Sequence, residues 1–258
     1  MGKNLKKLKD IRREYVKKYF TGNLGKVVEE EDKLVCYVNK KKCKKSDSGY
    51  VLNCHGITDA DIQIANMYGL NKPIYYVIDK FSIKRDNFNL VADNDCKVVL
   101  RDSVFRDLAV STDNDCYFDN VRSRSISPLT VSAKNISIKN SDLRNFLSLY
   151  GIESLVELQA ENNLCIKNST IGKNDQVAEV NISCAKHIDI KNSKLRGNEI
   201  VCTAPNIDMD DESSVVANEK IVLKSDDLED FNTYAPTVIY DISKNGDNKV
   251  LRRVNRKW

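Results

Sequence analysis

The chain has 258 residues, of which 41% are hydrophobic, and its 4 Pro and 10 Gly are few for a loop-rich protein. This length suits a single cooperative body. The opening segment MGKNLKKLKDIRREY lacks the apolar run of a signal peptide or a membrane span, so we expect a cytoplasmic protein with no membrane-spanning segment. The formal net charge is +4, yet residues 1–45 hold 15 Lys and Arg against 6 Asp and Glu, which leaves the rest of the chain acidic.

The basic segment at the start is predicted to be a cap. Apolar residues recur at helical spacing between Leu5 and Phe20, which predicts an amphipathic α-helix over residues 3–20. Because a solenoid must cover the exposed end of its core, we assign residues 1–72 to a capping region, with a second short helix over residues 58–69. A basic arm for nucleic acid is the alternative, but we do not expect nucleic acid as a partner.

Eight cysteines are distributed along the chain. Four residues have the composition of a Cys3His zinc set, namely Cys36, Cys43, Cys54 and His55. They lack the C-x2-C spacing that is typical of such sites. Cys96 and Cys116 are assigned to equivalent inward positions of neighbouring repeats, where a disulfide is the alternative to reduced core thiols. We favour reduced thiols.

The stretch LTVSAKNISIKNSDL, residues 129–143, is the clearest repeat unit. Apolar and polar side chains alternate from Leu129 to Ala133, and again from Ile136 to Ile138 after a short corner. A turn then leads to a third short strand. Period-2 alternation in units of roughly 20 residues predicts strands that stack as successive turns of a solenoid with a shared core.

The same unit returns on both sides of this stretch. Related units begin at Tyr75, Phe88, Leu108, Val156, Val180, Ile200 and Val215. The step from the first strand to the second is three or four positions in every copy, whereas the connection after the third strand varies in length. This pattern predicts an all-β fold, a single-stranded parallel β-helix of about eight coils over residues 73–242. Residues 243–258 are predicted to be a basic tail.

An asparagine follows the same strand in three copies, SIKNSDL, CIKNSTI and DIKNSKL, at Asn140, Asn168 and Asn192. Asparagine tolerates a left-handed backbone, and stacked asparagine side chains can hydrogen-bond along the axis. Through this corner the chain resembles the right-handed parallel β-helix proteins of the pectate-lyase-like superfamily. The resemblance covers about residues 73–242 and implies the right-handed architecture without selecting a family within it.

The first candidate site is a doubled acidic corner. Its four carboxylates fall in one turn of neighbouring coils, at Asp93, Asp95, Asp113 and Asp115. Crowded carboxylates raise one another's pKa or bind a divalent cation, so Ca²⁺ is the candidate metal. The resemblance implies metal or acid roles for these residues and a basic role for Lys134 or Arg144, although its G-H-G triplet is absent. Ordinary corner chemistry on a solvated edge explains the same residues, and we favour it, expecting no cofactor.

The second candidate site is a row of lysines. Each member directly follows an inward strand residue, and the members are Lys84, Lys139, Lys167, Lys191 and Lys224. Stacked like charges cost free energy unless an acidic group lies alongside, and Asp189 and Asp208 are candidates for that group. The row is either a binding site for an acidic ligand or a solvated face.

The third candidate site is the longest connection, residues 144–155 (RNFLSLYGIESL), which carries Phe146 and Tyr150. Long loops on a rigid scaffold are common binding sites, and exposed apolar residues mark partner surfaces. A small helix packed on the rod explains the same residues.

Two function classes remain. The first is a non-catalytic β-helix scaffold or binding module for a protein, a carbohydrate or an acidic ligand, with self-association as a further option. The second is a carbohydrate-active enzyme, either a polysaccharide lyase or a glycoside hydrolase. We favour the first, because fold analogy alone does not specify a catalytic site.

Overall fold

A computed structural model describes residues 24–47, 49–54, 72–92, 96–145, 154–173, 178–226, 233–244 and 247–254. Across them the chain forms an all-β solenoid of about seven turns. This confirms the predicted parallel β-helix. The helices predicted over residues 3–20 and 58–69 lie outside the described residues. Within the described ranges no helix is long and apolar enough to cross a membrane.

Short strands separated by tight corners account for this architecture. Before the regular coils come β1 (Gly25–Glu29), β2 (Leu34–Val38), a 3-10 turn (Lys40–Lys42), β3 (Lys44–Ser46) and β4 (Gly49–Cys54). Next come β5 (Ile74–Asp79), β6 (Ser82–Ala92), β7 (Cys96–Arg101), β8 (Val104–Thr112), β9 (Cys116–Asp119), β10 (Arg122–Ser125), β11 (Leu129–Lys139) and β12 (Asp142–Asn145). Then follow β13 (Ser154–Lys167), β14 (Thr170–Gly172), β15 (Ala178–Cys184), β16 (His187–Lys191), β17 (Lys194–Thr203) and β18 (Asn206–Met209). The last are β19 (Ser214–Ser225), β20 (Thr233–Tyr234), β21 (Thr237–Lys244) and β22 (Asp247–Val254).

The strands pair in parallel from coil to coil and form three faces. Face A contains β2, β5, β7, β9, β16, β18 and the second halves of β11 and β13. Face B contains β10, β12, β14, β20 and the first parts of β6, β8, β17 and β19. Face C contains β4, β15, β21 and the remaining parts of β6, β8, β11, β13, β17 and β19. Three strand segments per coil agree with the repeat unit that the sequence predicts.

Inward side chains of face A stack in one column. Successive partners along this column are Ile78, Leu100, Phe118, Ile138, Ile166 and Ile190. Each is at most 1% exposed, and burying a side chain of this size contributes about 1.5–3 kcal/mol. The predicted stacking of Ile138, Ile166 and Ile190 is therefore confirmed, and it places the outward residues of neighbouring coils at a spacing of about 4.8 Å.

Antiparallel strands close the two ends of the described solenoid. Strand β1 pairs with β2, and β22 pairs with β21, so part of the predicted tail forms a strand. The eight cysteines form no disulfide with one another. Cys116 pairs with Val98, while Cys96 pairs with Ile74, so the assignment of Cys96 and Cys116 to equivalent positions was wrong by two residues. Ala92 pairs with Thr112 and Val98 with Cys116, so six positions separate the paired residues in one coil and four in the next, and this difference of two changes the register.

Candidate binding site

The corner between faces A and B is built on left-handed residues. Asn140, Asn168 and Asn192 have φ angles of 51°, 49° and 45°. The Nδ2 of Asn192 donates to Oδ1 of Asn168 at 3.0 Å, and the Nδ2 of Asn168 donates to Oδ1 of Asn140 at 3.3 Å. The predicted asparagine ladder is therefore present. It ends on a carboxylate, because Asn140 donates to Oδ1 of Asp119 at 2.9 Å.

A buried serine ladder supports this corner, and sequence reasoning missed it. The backbone N–H of Ser141 donates to Oγ of Ser169 at 3.1 Å, and the N–H of Ser169 donates to Oγ of Ser193 at 3.1 Å. The hydroxyls of Ser169 and Ser193 in turn donate to the carbonyls of Lys167 and Lys191, both at 2.7 Å. The signal was the serine that directly follows each corner asparagine. The ladder holds the backbone of the lysine positions in place.

The outward residues that end each strand of face A form what we call the axial row. Strand pairing connects its members one by one, and they are Asp79, Arg101, Asp119, Lys139, Lys167 and Lys191. The first three alternate in sign, whereas the last three are all lysines. The structure thus brings together the three lysines that the sequence analysis proposed as a ligand-binding row.

The first half of the axial row contains an internal ion pair. The guanidinium of Arg101 donates to both carboxylate oxygens of Asp79, at 3.0 and 3.1 Å. These hydrogen bonds lower the pKa of Asp79 and raise that of Arg101. Asp79 and Arg101 therefore neutralise each other, while Asp119 accepts a hydrogen bond from the neutral amide of Asn140.

The lysine half is less well neutralised. Lys191 lies 2.8 Å from Oδ2 of Asp189, and this hydrogen bond raises its pKa. Lys139 and Lys167 are exposed and make no ion pair within the described part of the chain. Asp208 lies 3.5 Å from Nε2 of His187 instead. Of the two aspartates suggested as partners for the row, only Asp189 contacts a lysine, and only the last one.

The Cys165 side chain lies beside the lysines and adds no negative charge. Its Sγ is 3.9 Å from Oδ2 of Asp189. Partial burial, followed by the charge of Asp189, raises the pKa of this thiol despite the nearby lysines. The thiol therefore stays protonated near neutral pH, and it does not neutralise Lys139 or Lys167.

Two lysines assigned to the row lie elsewhere. Lys224 is on face C, where its strand partners are Thr203 and Asp241. Lys84 is on β6, where the pairing with β8 is interrupted between Ile83 and Asn87. Both follow an inward residue, but Lys224 lies on face C and Lys84 lies beside the interrupted pairing of β6 with β8. Their inclusion in the row was therefore wrong.

The acidic corner is described only in part, because Asp93 and Asp95 lie outside the described residues. Asp113 is exposed, and Asp115 lies 2.7 Å from Nζ of Lys97. Asp115 also accepts from Asn135 Nδ2 at 2.7 Å and from the Tyr117 hydroxyl at 3.1 Å.

These contacts set the protonation of the Asp115 cluster. Partial burial alone would raise the pKa of Asp115, but the hydrogen bonds from Lys97, Asn135 and Tyr117 outweigh it and leave the pKa lowered. The hydrogen bond to Asp115 raises the pKa of Lys97, while burial and the charge of Asp115 raise that of Tyr117 to about 12. The cluster thus holds an ion pair at neutral pH, and a proton-transfer role for Asp115 has no support in these shifts.

The two basic residues proposed to act with the acidic corner are separated. The backbone N–H of Lys134 donates to the carbonyl of Asn114 at 3.0 Å, so Lys134 lies in the next coil of the same corner. Arg144 is on face B, where it pairs with Asp142. Phe146 and Tyr150, proposed as ligand-binding residues, lie outside the described residues.

The cysteines near the start of the chain are buried. Burial raises the pKa of Cys36 to about 12 and that of Cys43 to about 11, which disfavours the thiolate that zinc requires. His55 lies outside the described residues. Among the residues that the structure does describe, no group of three or more His, Cys, Asp or Glu could hold a metal ion.

Comparison with known proteins gives no further assignment. The chain shows no significant match to any family model, curated protein or solved structure against which it was compared. The site must therefore be interpreted from its own geometry.

Proposed function

We propose that this protein is a β-helical binding module in which Lys139, Lys167 and Lys191 hold an acidic ligand. The observation that carries the proposal is the change of sign pattern within the axial row. Its first half alternates Asp79, Arg101 and Asp119, and its second half places three lysines on consecutive coils.

The energetics favour a ligand over an accidental row. Like charges placed directly opposite each other on neighbouring strands are destabilising, whereas opposite charges contribute roughly 0.2–1 kcal/mol. The first half of the row shows that this scaffold accommodates alternating signs. An anionic ligand alongside Lys139 and Lys167 would remove the repulsion that the protein itself leaves in place.

The scaffold also pre-organises the site. The serine ladder binds the carbonyls of Lys167 and Lys191, and the asparagine ladder fixes the adjacent corner. The lysine backbones are therefore held at the strand spacing of about 4.8 Å before any ligand arrives. Rigid positioning reduces the entropic cost of binding.

The proposal is tested by affinity electrophoresis of the full chain in gels containing polygalacturonate or heparin, with neutral dextran as the uncharged reference. The variant Lys139→Ser/Lys167→Ser should weaken binding to the acidic polymers roughly tenfold, since each exposed ion pair contributes up to about 1 kcal/mol. Retardation of the wild type by dextran as strong as by the acidic polymers would contradict an acidic ligand.

The matched control is Lys41→Ser/Lys42→Ser, which removes the same charge from the exposed 3-10 turn. It should leave the retardation close to that of the wild type. An equal loss in both variants would show that binding follows net charge and that the lysine row has no special part.

A further inference from the structure

Face B carries an arginine patch that is separate from the lysine row. Its members are Arg122, Arg124, Arg144 and Arg196, all on outward positions. Arg124 and Arg144 are direct partners on neighbouring strands, so their Cα atoms are about 4.8 Å apart. Arg144 pairs with Asp142, whereas the other three arginines are exposed and make no ion pair with any residue that the structure describes.

Face C carries an acidic patch of the same construction. It consists of Glu157, Glu179 and Glu199, and Glu179 and Glu199 are direct partners on neighbouring strands. Glu199 lies 3.7 Å from Nζ of Lys220. Glu157 and Glu179 are exposed and have no ion-pair partner in the described ranges. The acidic patch therefore places like charges on neighbouring strands, as the arginine patch does, but with negative sign.

We propose that the arginine patch of one molecule packs beside the acidic patch of a second copy. Each patch contains a pair of like charges one coil apart, Arg124 with Arg144 and Glu179 with Glu199. Because both pairs are spaced by the same solenoid repeat, two rods that lie side by side can match both charges at once. This shared spacing identifies a second copy as the occupant, and the contact goes beyond the proposed ligand binding on face A.

The contact has two physical consequences. It joins different surfaces of the two molecules, so it is heterologous and can propagate from one copy to the next. It also depends on exposed charges, so salt weakens it as the Debye length falls from about 8 Å at 0.15 M to about 3 Å at 1 M. Assembly should therefore grow with protein concentration and dissolve in salt.

Sedimentation velocity of the full chain, in low salt and in about 1 M salt, tests the contact. The wild type should sediment faster at high protein concentration in low salt and as a monomer in high salt. The variants Arg124→Glu/Arg196→Glu and Glu179→Lys/Glu199→Lys should each remain monomeric in low salt, because the first leaves the arginine patch without net charge and the second makes the acidic patch positive. The control Lys41→Glu/Lys42→Glu carries the first variant's charge change on an exposed turn and should assemble like the wild type.

Mixing the two charge-swapped variants separates assembly from misfolding. The arginine variant keeps the original acidic patch and the glutamate variant keeps the original arginine patch, so an equimolar mixture should sediment faster than either variant alone. A wild type that stays monomeric in low salt, or a mixture that stays monomeric while both variants melt like the wild type, would overturn the proposal. If the wild type is strictly monomeric and Arg124→Glu/Arg196→Glu no longer binds polygalacturonate, the arginine patch would be assigned to ligand binding instead.

Discussion

The two halves of the axial row share a scaffold and differ in their outward charges. In the first half, Arg101 binds Asp79 through two hydrogen bonds. In the second half, Lys139 and Lys167 stand on consecutive coils without an ion-pair partner among the described residues. Behind both halves runs the same inward column of buried side chains. The difference teaches that in a repeat protein the buried scaffold can stay constant while the outward charge pattern changes.

The largest effects should come from the inward column, and they should be equal in the two halves. Leu100 and Ile166 occupy the same column, and both are fully buried. We expect Leu100→Ala and Ile166→Ala each to lower the free energy of unfolding by about 2–5 kcal/mol, because each leaves a cavity in a packed core. Urea denaturation monitored by circular dichroism would measure both. A cost for one variant less than half that of the other would mean that the two halves do not share one scaffold.

The corner should give the next largest effect. Asn168→Ala should cost about 1–2 kcal/mol, because alanine is disfavoured in the left-handed conformation that this position adopts at φ 49°. Asn168→Gly removes the same ladder hydrogen bonds without that strain and should cost less. Thermal melting of both variants separates the cost of backbone strain from the cost of losing the hydrogen bonds of the asparagine ladder. Equal costs would place the whole effect in the side-chain hydrogen bonds.

Features that recur in every repeat of this fold were predictable from the sequence. Contacts between particular residues of neighbouring coils were not. Ile138, Ile166 and Ile190 repeat the same position of the same unit, so their stacking followed from spacing alone. Lys224 satisfies the local rule for the lysine row, but strands on every face end after an inward residue. Only strand pairing shows which face a residue is on. The pairing of Arg101 with Asp79 likewise joins residues of neighbouring coils, and no local pattern indicated it.

Removal of a charge from the neutralised half should lower stability moderately. Asp79→Asn loses the ionic hydrogen bonds with Arg101, and we expect a cost of about 0.5–1 kcal/mol at pH 7, because both side chains are partly exposed and screened by solvent. In the lysine half, Lys139→Ser removes no ion pair and should cost less. Urea denaturation at pH 7 would compare the two. A larger loss for Lys139→Ser would contradict the comparison between the halves.

The same variant has a defined pH dependence. The pKa of Asp79 is lowered in the folded protein by Arg101, so its contribution is present above the unfolded-state pKa of about 3.9 and is lost as the pH falls through the lower folded pKa. The difference in the free energy of unfolding between wild type and Asp79→Asn should therefore be constant from neutral pH down to about pH 5. It should decrease toward zero below about pH 4. A difference that persisted in acid would show that the aspartate acts through packing rather than charge.

The smallest stability effect should have the opposite sign. Lys167→Asp places a carboxylate between Lys139 and Lys191 and so extends the alternating pattern of the first half into the second. We expect it to raise the free energy of unfolding by roughly 0.2–1 kcal/mol, while it weakens retardation by polygalacturonate more than Lys139→Ser/Lys167→Ser does. Lys194→Asp is the matched control, because its strand partners Thr170 and Ser214 carry no charge, and it should bring no such gain. Higher stability together with weaker binding in Lys167→Asp would mean that the lysine row lowers the stability of the fold and favours ligand binding. A loss of stability in Lys167→Asp would show that the lysines do not repel one another.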